Sequence, residues 1–298
     1  MSDWLTVAVE VVSADRVTPH FARIRFRAPA EVGGAGPVYD QRIRVGIPSP
    51  GCEPWVASGD DWYSEWLASP EDRRGQLRTY SIREIDRRAD ETFITVDFVL
   101  HFSPGRTGPA SQWAAAAQPG DRASMILPRR GLAGAGIEFA PGSASRILLA
   151  GDETAAPAIA RILEDLPRDA RGCALIEVPV ADDELPIDAP PGFEVRWLAR
   201  DGREHGDRMV EALLAEVSQG RAHAGDEDLP EHDDNELVWE TPTFSALGEN
   251  LNEPGKGPGE MFYWVAGECR VVAGLRRTLV RDFGVARKQI AFMGYWRR

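Results

Sequence analysis

The chain has 298 residues, of which 43% are hydrophobic, so it is long enough for two folded domains and too apolar for wholesale disorder. Its formal net charge of −13 argues against a nucleic-acid or anionic-membrane partner. No apolar run reaches the roughly 18–20 residues that span a bilayer, and no basic segment followed by an apolar one opens the chain. A cytoplasmic protein without membrane insertion is therefore expected.

The spacing of potential metal ligands excludes several kinds of site. The three cysteines form no C-x-x-C pair, and the five histidines include no H-E-x-x-H pair. We therefore predict no metal site, neither structural zinc nor an iron–sulfur cluster. The G-x-S-x-G and P-loop motifs are absent from the sequence as well. A redox function would then require an organic cofactor.

The first 126 residues read as short strands separated by turns. Alternation of apolar and polar side chains predicts strands at 5–11, 21–27, 42–47, 76–83 and 93–100. One helix is expected at 109–117, where four alanines precede Pro119 and Gly120. Short strands with Pro and Gly turns are typical of a small antiparallel barrel, here of six strands.

After residue 141 the pattern changes to strands that alternate with helices. Apolar runs predict buried parallel strands at 146–151, 174–178, 193–198 and 262–267. Helices are expected between them at 157–166, 207–217 and 270–283. This alternation predicts an open parallel sheet of the nucleotide-binding type, so we divide the chain into domains 1–141 and 142–298. The acidic, Gly- and Pro-rich segment 219–259 is expected to be a long surface loop.

Several short blocks stand out against this organisation. Residues 78–83 are Arg-Thr-Tyr-Ser-Ile-Arg, and residues 97–101, Asp-Phe-Val-Leu-His, precede Gly-Pro-Ala-Ser-Gln-Trp-Ala at 108–114. Residues 151–159 are Gly-Asp-Glu-Thr-Ala-Ala-Pro-Ala-Ile, at the end of the first strand of the second domain. Trp-Val-Ala-Gly-Glu at 264–268 and Gly-Tyr-Trp-Arg at 294–297 follow near the end of the chain.

Together these blocks resemble the siderophore-interacting proteins, which are FAD-dependent ferric-siderophore reductases of the ferredoxin–NADP reductase superfamily. The likeness runs over nearly the whole chain. It departs from the family pattern at Ser81, where Thr is usual, at Phe102, where Gly is expected, and after Arg297, where a Gly often follows. The resemblance implies an FAD-binding barrel followed by an NAD(P)H-binding α/β domain.

The resemblance places the FAD site in the first domain. Tyr80 would lie against the isoalloxazine ring, and Arg78 would bind the diphosphate. The donor to flavin N5 would be the Ser81 hydroxyl or a nearby backbone N–H. Tyr80 and Ser81 point to opposite faces of a regular strand, so both serve one flavin only where the strand ends or bends. The loop-to-helix junction would bind pyrophosphate through exposed N–H groups, with His101 on the phosphate or ribose side. The remaining residues implied for FAD are Arg83, Gly108, Pro109, Ala110, Ser111 and Trp113.

The resemblance places NADH or NADPH at strand ends of the second domain. Asp152, Glu153 and Thr154 follow the first parallel strand, where ligands of open α/β sheets bind, and Thr154 is expected to cap the next helix. Gly267 and Glu268 lie at another strand end and would close on the nicotinamide half. The aromatic side chains implied to cover the flavin or the siderophore are Tyr295 and Trp296.

A ferric siderophore rich in anionic oxygens would need a local patch of cations on this acidic chain. Arg42 and Arg44 alternate with Ile43 on a predicted strand and therefore share a face. The further cations expected from the second domain are Arg276, Arg277, Arg287 and Lys288.

The resemblance implies reduction of siderophore-bound Fe(III) by NAD(P)H through FAD, with no side chain acting as acid, base or nucleophile. Two alternatives stay open. One is a flavin-dependent reductase with a ferredoxin-type protein partner, and the other is a siderophore-binding protein without catalytic activity.

Overall fold

The computed structural model describes residues 2–101, 107–220, 239–242 and 261–298. The chain divides into two compact units, Met1–Ile137 and Glu138–Arg298. Within the described residues, none of the helices is long and apolar enough to cross a membrane.

The first unit is a curled antiparallel sheet. Its strands, in chain order, are β1 (Trp4–Thr18), β2 (Phe21–Pro29), β3 (Arg42–Ile47), β4 (Gln76–Ser81), β5 (Glu84–Arg87), β6 (Glu91–Val99) and β7 (Arg122–Pro128). They are ordered β4-β3-β7-β1-β2-β6-β5 across the sheet. The described sheet thus has seven strands, one more than the six predicted. The two strands without a predicted range are β5, which pairs with β6 at one edge, and β7, which pairs with β1 and β3.

Alternating burial builds the core of this unit. In β2 the side chains of Ile24, Phe26 and Ala28 are buried, whereas the arginines between them lie toward solvent. Val96 and Ile94 of β6 lie opposite Ile24 and Phe26 and are fully buried, as is Phe98, which lies opposite Ala22. These two strands therefore turn a mostly apolar face toward the core, which is the period-two pattern that predicted them.

Three helices accompany the sheet. They are α1 (Trp62–Ala68) and α2 (Glu71–Arg74), which both lie in the connection from β3 to β4, and α3 (Pro109–Ala116). Helix α3 begins at Pro109, which suits a first helical position because that N–H needs no partner. Helices α1 and α2 were not predicted; they have seven and four residues and bury none of them, so each is too short for a clear periodic signal.

The second unit is a mostly parallel sheet in the order β10-β9-β8-β12-β13-β11. Its strands are β8 (Arg146–Gly151), β9 (Arg171–Val178), β10 (Gly192–Ala199), β11 (Trp239–Glu240), β12 (Met261–Glu268) and β13 (Ile290–Trp296). Its helices are α4 (Ala156–Asp165), α5 (Asp207–Gly220) and α6 (Cys269–Arg277). The predicted helix 270–283 is in fact α6 followed by a π-helical turn at Thr278–Asp282.

Most of the predicted surface loop 219–259 lies outside the described residues. Within it, however, Trp239 and Glu240 form strand β11, which pairs antiparallel with β13. Glu240 and Thr241 are buried, so this short part of the segment belongs to the sheet. The prediction of a barrel followed by an open parallel sheet is confirmed as a fold class.

Candidate functional site

Tyr80 lies on the edge strand β4, with Ile43 of β3 opposite it. Its ring centroid is 4.4 Å from that of Phe98, and the ring is half-buried against the core of the first unit. Desolvation by burial raises the pKa of the Tyr80 phenol, so it stays neutral at physiological pH. Ser81 is the last residue of β4, lies opposite Arg42 and is buried. Tyr80 and Ser81 thus face opposite sides of a strand that ends at Ser81.

Arg78 is exposed on the same strand. Its guanidinium donates to the carbonyl of Leu77 at 2.9 Å and to the side-chain amide oxygen of Gln76 at 2.7 Å. Among the described residues no carboxylate pairs with it. A guanidinium held by two neutral acceptors keeps its charge for an anionic ligand, which fits the diphosphate of FAD.

Arg83 is placed differently, because it is buried and belongs to a structural ion pair. Its Nε lies 3.8 Å from Oδ2 of Asp97, whose carboxylate also accepts two hydrogen bonds from Arg23 at 2.7 and 2.8 Å. Asp97 is 2% exposed and Arg83 4% exposed. The pairing compensates the buried charge of Asp97 and joins β2 and β6 to the turn after β4.

The block at 97–114 joins strand β6 to helix α3. The Ser111 hydroxyl donates to the carbonyl of Val99 at 3.0 Å and accepts from the His101 N–H at 3.3 Å. The indole of Trp113 stacks on Phe26, with ring centroids 6.2 Å apart. Both side chains therefore hold the helix against the sheet. Gly108, the residue before the helix, provides no side-chain cap, so the first-turn N–H groups of Ala110 and Ser111 can receive a phosphate oxygen.

In the second unit, β8 neighbours both β9 and β12, so the chain leaves it toward one side and returns on the other. Such a switch point opens a crevice at the carboxyl ends of the strands. Asp152 occupies it and is 2% exposed. Its Oδ1 accepts from the N–H and hydroxyl of Thr154, and its Oδ2 accepts from the Glu268 N–H and the Trp296 indole, each at 2.8 Å. Desolvation, then the charge of Glu153, raises the pKa of Asp152.

Thr154 does not cap the helix as predicted. Helix α4 begins at Ala156 with Ala155 as its N-cap, and the backbone carbonyl of Asp152 accepts from the Ala155 and Ala156 N–H groups. The Thr154 hydroxyl instead donates to the Asp152 side chain. Asp152 and Thr154, both predicted to bind the nicotinamide cofactor, thus form hydrogen bonds with each other.

Glu153 is fully buried and pairs with an arginine that the sequence analysis did not single out. Arg200 donates to both Glu153 oxygens at 2.6 and 2.9 Å and to Glu177 at 3.1 Å. Burial disfavours the charged guanidinium, but the hydrogen bonds and charges of Glu153 and Glu177 outweigh it and raise the pKa of Arg200. Glu177 also accepts from the backbone N–H of Met209 at 2.9 Å, at the start of α5. No spacing in the sequence connects these three positions.

Glu268 and Gly267 complete the crevice from β12. One Glu268 oxygen accepts from the N–H groups of Arg270 and Val271 at 2.8 and 3.1 Å and so caps α6. The other oxygen, Oε1, is buried and has no hydrogen-bond partner within the described residues. Gly267 has φ +149°, and a Cβ there would lie 2.7 Å from Oδ2 of Asp152. Only glycine therefore fits beside this carboxylate.

The tail residues lie on β13. Trp296 donates its indole N–H to Asp152 at 2.8 Å, and the ring of His205 meets it edge-on at 5.1 Å. Tyr295 stacks on Trp239, with ring centroids 6.2 Å apart. Both aromatic side chains thus have packing partners inside the second unit.

The six predicted substrate cations fall into distinct environments. Arg42 and Arg44 share a face of β3, and Arg44 donates to the Thr79 hydroxyl. The buried Arg276 and the nearly buried Arg287 are instead partners of Glu240, with hydrogen bonds of 2.9 to 3.1 Å. Arg277 is exposed and Lys288 half-exposed.

A cavity of about 550 Å³ lies between α5 and α6 in the second unit. Its walls combine charged and apolar side chains, including Arg203, His205, Asp207, Glu211, Arg270 and Val271. Desolvation, then the charges of Arg200 and Arg298, lowers the pKa of His205. Within the described residues no group of His, Cys, Asp and Glu side chains is arranged to hold a metal ion.

Both units match family models. Residues 10–132 match a siderophore-interacting FAD-binding domain, and residues 144–298 match the siderophore-interacting protein model. An uncharacterized protein of Mycobacterium tuberculosis is 36% identical over 232 residues, which are 77% of this chain and 68% of that protein. The ferric vibriobactin reductase ViuB of Vibrio cholerae is 27% identical, over 74% of this chain and 64% of its own length. The NADPH-dependent ferric-chelate reductase of Escherichia coli is 28% identical, over 70% of this chain and 74% of its length.

Solved structures agree with the family models. A siderophore utilization protein from T. fusca is 29% identical, covers 100% of this chain and 95% of its own, and superposes with a TM-score of 0.70. A ferredoxin reductase in carbazole 1,9a-dioxygenase shares the fold, with 17% identity, a TM-score of 0.60, and coverage of 98% of this chain and 68% of its own.

Proposed function

The chain belongs to the siderophore-interacting protein family, and from that premise we propose that it is an NAD(P)H-dependent, FAD-dependent ferric-siderophore reductase that releases Fe(II) for iron assimilation. The observation that carries the proposal is the pairing of an FAD-binding domain with a siderophore-interacting domain in one chain. The names of the Vibrio cholerae and Escherichia coli relatives, both reductases of chelated ferric iron, support the reaction class. The proposal includes a cytoplasmic location, where reduced nicotinamide cofactors are available.

The first unit offers groups that fit FAD. Tyr80 presents a half-buried aromatic ring at a sheet edge, and Arg78 presents a guanidinium without a carboxylate partner in the described residues. No side chain among the described residues caps the start of α3, which adds backbone N–H groups for phosphate. When bound, FAD would supply the redox chemistry, which is to accept a hydride and to pass electrons singly to Fe(III). Ser111 and Trp113 would act indirectly, because they fix the position of α3 on the sheet.

In the proposed reaction the side chains of this chain bind and orient, and none must act as acid, base or nucleophile. Reduction converts Fe(III) to Fe(II), which hard oxygen ligands hold more weakly, so the iron leaves the siderophore. Arg42 and Arg44 would attract the anionic complex to one face of β3. The exposed Arg277 and the half-exposed Lys288 remain proposed contributors from the second unit. Arg276 and Arg287 are weaker candidates, since both already compensate Glu240.

The proposed electron donor is NADH or NADPH. NADH or NADPH would bind at the carboxyl ends of β8 and β12, where the switch point lies. The buried Oε1 of Glu268, without a partner in the described residues, could accept from a ribose hydroxyl or a carboxamide there.

One observation favours a ferredoxin-type protein as an alternative donor. Both carboxylate oxygens of Asp152 and the hydroxyl of Thr154 are used in internal hydrogen bonds. These groups were expected to bind the nicotinamide nucleotide, so a soluble cofactor would find fewer partners at the switch point. The remaining alternative is a siderophore-binding protein without catalytic activity, and the experiment below tests it as well.

The test follows the flavin directly. Purified protein loaded with FAD is mixed anaerobically with NADH, NADPH or a reduced ferredoxin, and bleaching of the flavin band near 450 nm is recorded. A ferric siderophore is then added, and the Fe(II) released is captured by a coloured ferrous chelator. Bleaching by NADH or NADPH followed by Fe(II) release supports the proposal. Bleaching by reduced ferredoxin alone supports the alternative with a ferredoxin-type electron donor. Protein that binds FAD and siderophore but releases no Fe(II) with any donor would be a binding protein only.

A further inference from the structure

Strand β10 is the longest edge strand in the part of the chain that the structure describes. It has eight residues, whereas the other edge strands β4, β5 and β11 have six, four and two. None of its residues is fully buried, although its neighbour β9 buries six. It contains no proline, no lysine and no shift of register against β9. Because proteins use such features to protect a sheet edge, β10 is left as a regular template for another strand.

The pairing of β10 with β9 identifies its outward backbone groups. The N–H of Arg200, directly after the strand, donates to the carbonyl of Val178 at 2.9 Å. Successive residues of a strand direct their backbone groups to opposite sides, so the even-numbered residues of β10 bond to β9 and the odd-numbered ones face outward. The outward N–H groups of Val195 and Trp197 have no hydrogen-bond partner within the described residues.

A second copy of the chain fits this edge in one antiparallel register. With Val195 opposite itself, the outward-facing residues of the two copies meet and exchange backbone hydrogen bonds. Trp197 then lies opposite Phe193 of the second copy and donates to its carbonyl, since the Phe193 N–H already closes the turn before the strand. On the other face of the strand, Glu194 lies opposite Arg196 of the second copy, so the same ion pair forms twice.

The charged side chains favour this register over its neighbours. Centring the pair on Phe193 or Trp197 also joins outward-facing residues, but it places Arg196 opposite Pro190 or Leu198. The side chain of Glu194 is 68% exposed and that of Arg196 31% exposed, so both can reach a second copy. Their closest atoms within one copy are 3.5 Å apart, and the Arg196 Nε has no hydrogen-bond partner within the described residues.

The guanidinium of Arg196 is held in place beside the edge. Its Nη2 donates to the Glu216 carboxylate and, at 3.2 Å, to the Cys173 thiol. A side chain that is already fixed loses little conformational freedom when a second strand arrives. The edge of β10 therefore presents a prepared cation beside an exposed anion, with apolar side chains on the opposite face.

We propose that two copies of this chain associate through β10, antiparallel about a two-fold axis at Val195, so that their second-unit sheets join into one continuous sheet. The pairing uses this edge in both copies and leaves none for a third, so the assembly closes at a dimer. Only one strand of each copy takes part, so the dimer is expected to dissociate reversibly on dilution. The inference is independent of the reaction proposed above.

The first test removes the outward donor. Sedimentation velocity of the FAD-loaded protein over a range of concentrations is expected to show a reversible dimer. Val195→Pro deletes an N–H that β9 does not use and is expected to raise the dimer Kd about tenfold or more. Val195→Thr keeps both the N–H and the branched side chain and is the matched control. Equal melting temperatures of dilute samples show that each variant is folded.

The second test exchanges the charges. Glu194→Arg places two arginines opposite each other, and Arg196→Glu places two carboxylates opposite each other, so each variant alone is expected to be a monomer. An equimolar mixture restores both ion pairs in a heterodimer and is expected to sediment as a dimer. If Arg196→Glu fails to fold because it faces Glu216, the variants at Val195 decide.

The third test locates the two-fold axis. In Val195→Cys the two Cα atoms would lie about 5.5 Å apart, within reach of a disulfide. In Trp197→Cys they would lie about 13 Å apart along the paired strands. Mild oxidation is therefore expected to cross-link the first variant and not the second, with the wild type and its three free cysteines as background.

Several results would overturn the inference. A monomer at every concentration would show that the edge of β10 stays unpaired. A dimer that survives Val195→Pro would place the contact elsewhere on the molecule. Cross-linking of Trp197→Cys as readily as Val195→Cys would exclude the antiparallel register.

Discussion

At the scale of single residues, Asp152 is the most connected side chain of the switch point. Each of its oxygens accepts two hydrogen bonds, and four donors converge on one buried carboxylate. An Asn side chain has only one acceptor oxygen, and its amide group would face the donors on the other side. We therefore expect Asp152→Asn to destabilise the second unit by about 2–3 kcal/mol, because at least one buried donor loses its acceptor.

Chemical denaturation followed by tryptophan fluorescence measures this loss. Asp188→Asn is the matched control, since the Asp188 side chain is 84% exposed and pairs with Arg168 only at the surface. A variant at Asp152 as stable as this control would show that the four hydrogen bonds do not hold the strand ends together.

Arg78 allows a test of the FAD site that spares the fold. Its side chain is exposed and makes only two neutral hydrogen bonds, so Arg78→Ala is expected to leave the melting temperature of the apoprotein within about 1–2 °C. Loss of one charge-assisted contact to the diphosphate should raise the Kd for FAD about tenfold or more. Fluorescence titration of apoprotein with FAD measures it, and Arg73→Ala on α2, also exposed, is the control. Equal affinities for FAD in the two variants would show that Arg78 does not bind the diphosphate.

His205 should make stability depend on pH. Its pKa is lowered by desolvation and by the nearby charges of Arg200 and Arg298, against the opposing charges of Asp152 and Glu177. The unfolded chain therefore takes up a proton near pH 6.5 that the folded chain does not. Stability is then lost as pH falls below about 6.5 and is regained above it. Melting temperatures of the wild type and His205→Gln are compared between pH 5 and pH 8, and the variant is expected to lose less stability toward pH 5. If the melting temperatures of both proteins fall equally with pH, His205 is not the group responsible.

At the scale of elements, strand β11 depends on one buried carboxylate. Glu240 binds both Arg276 and Arg287, and desolvation, which alone would raise its pKa, is outweighed by these two partners, so its pKa is lowered. Glu240→Gln leaves two nearly buried cations without a counter-charge, which is expected to cost about 3 kcal/mol of unfolding free energy. Glu204→Gln, at an exposed pair with Arg298, is the control. Urea unfolding of the two variants gives the comparison, and similar midpoints would show that β11 is held by its backbone alone.

The same scale shows what the sequence could predict. Strand β2 was predicted because apolar and basic residues alternate from Ala22 to Arg27, and the alternation matches its burial. Strand β5 has four residues at a sheet edge and β11 has two, which is too short for a periodic signal. Helix α1 has only seven residues and buries none of them, so its pattern is too short to detect, although its cap at Asp61 is a local signal. At the candidate site, the blocks located Asp152 and Glu268, but Arg200 and Glu177 could not be predicted because only the fold brings them to Glu153.

At the scale of the whole molecule, the net charge of −13 opposes every anionic ligand. Arg44→Glu changes the local charge by two and is expected to raise the KM for an anionic ferric siderophore about tenfold in low salt. The difference from the wild type should shrink toward molar salt, where screening acts over about 3 Å. Reduction of a small neutral acceptor should be nearly unchanged. If both acceptors are affected equally, Arg44 supports the flavin or the fold and the face of β3 is not the siderophore site.

The close approach of Gly267 to Asp152 makes the residue type allowed at position 267 depend on the side chain at position 152. A side chain at 267 would need both an unfavourable backbone φ of +149° and the space that the carboxylate fills. The carboxylate of Asp152 therefore requires glycine at position 267, and removing the carboxylate would open the space there without relieving the backbone constraint. An engineer wishing to give the second unit a stronger preference for a soluble nucleotide would begin by replacing Asp152 with a small residue. That change would open space beside position 267, and it would also remove the four hydrogen bonds that Asp152 accepts at the strand ends.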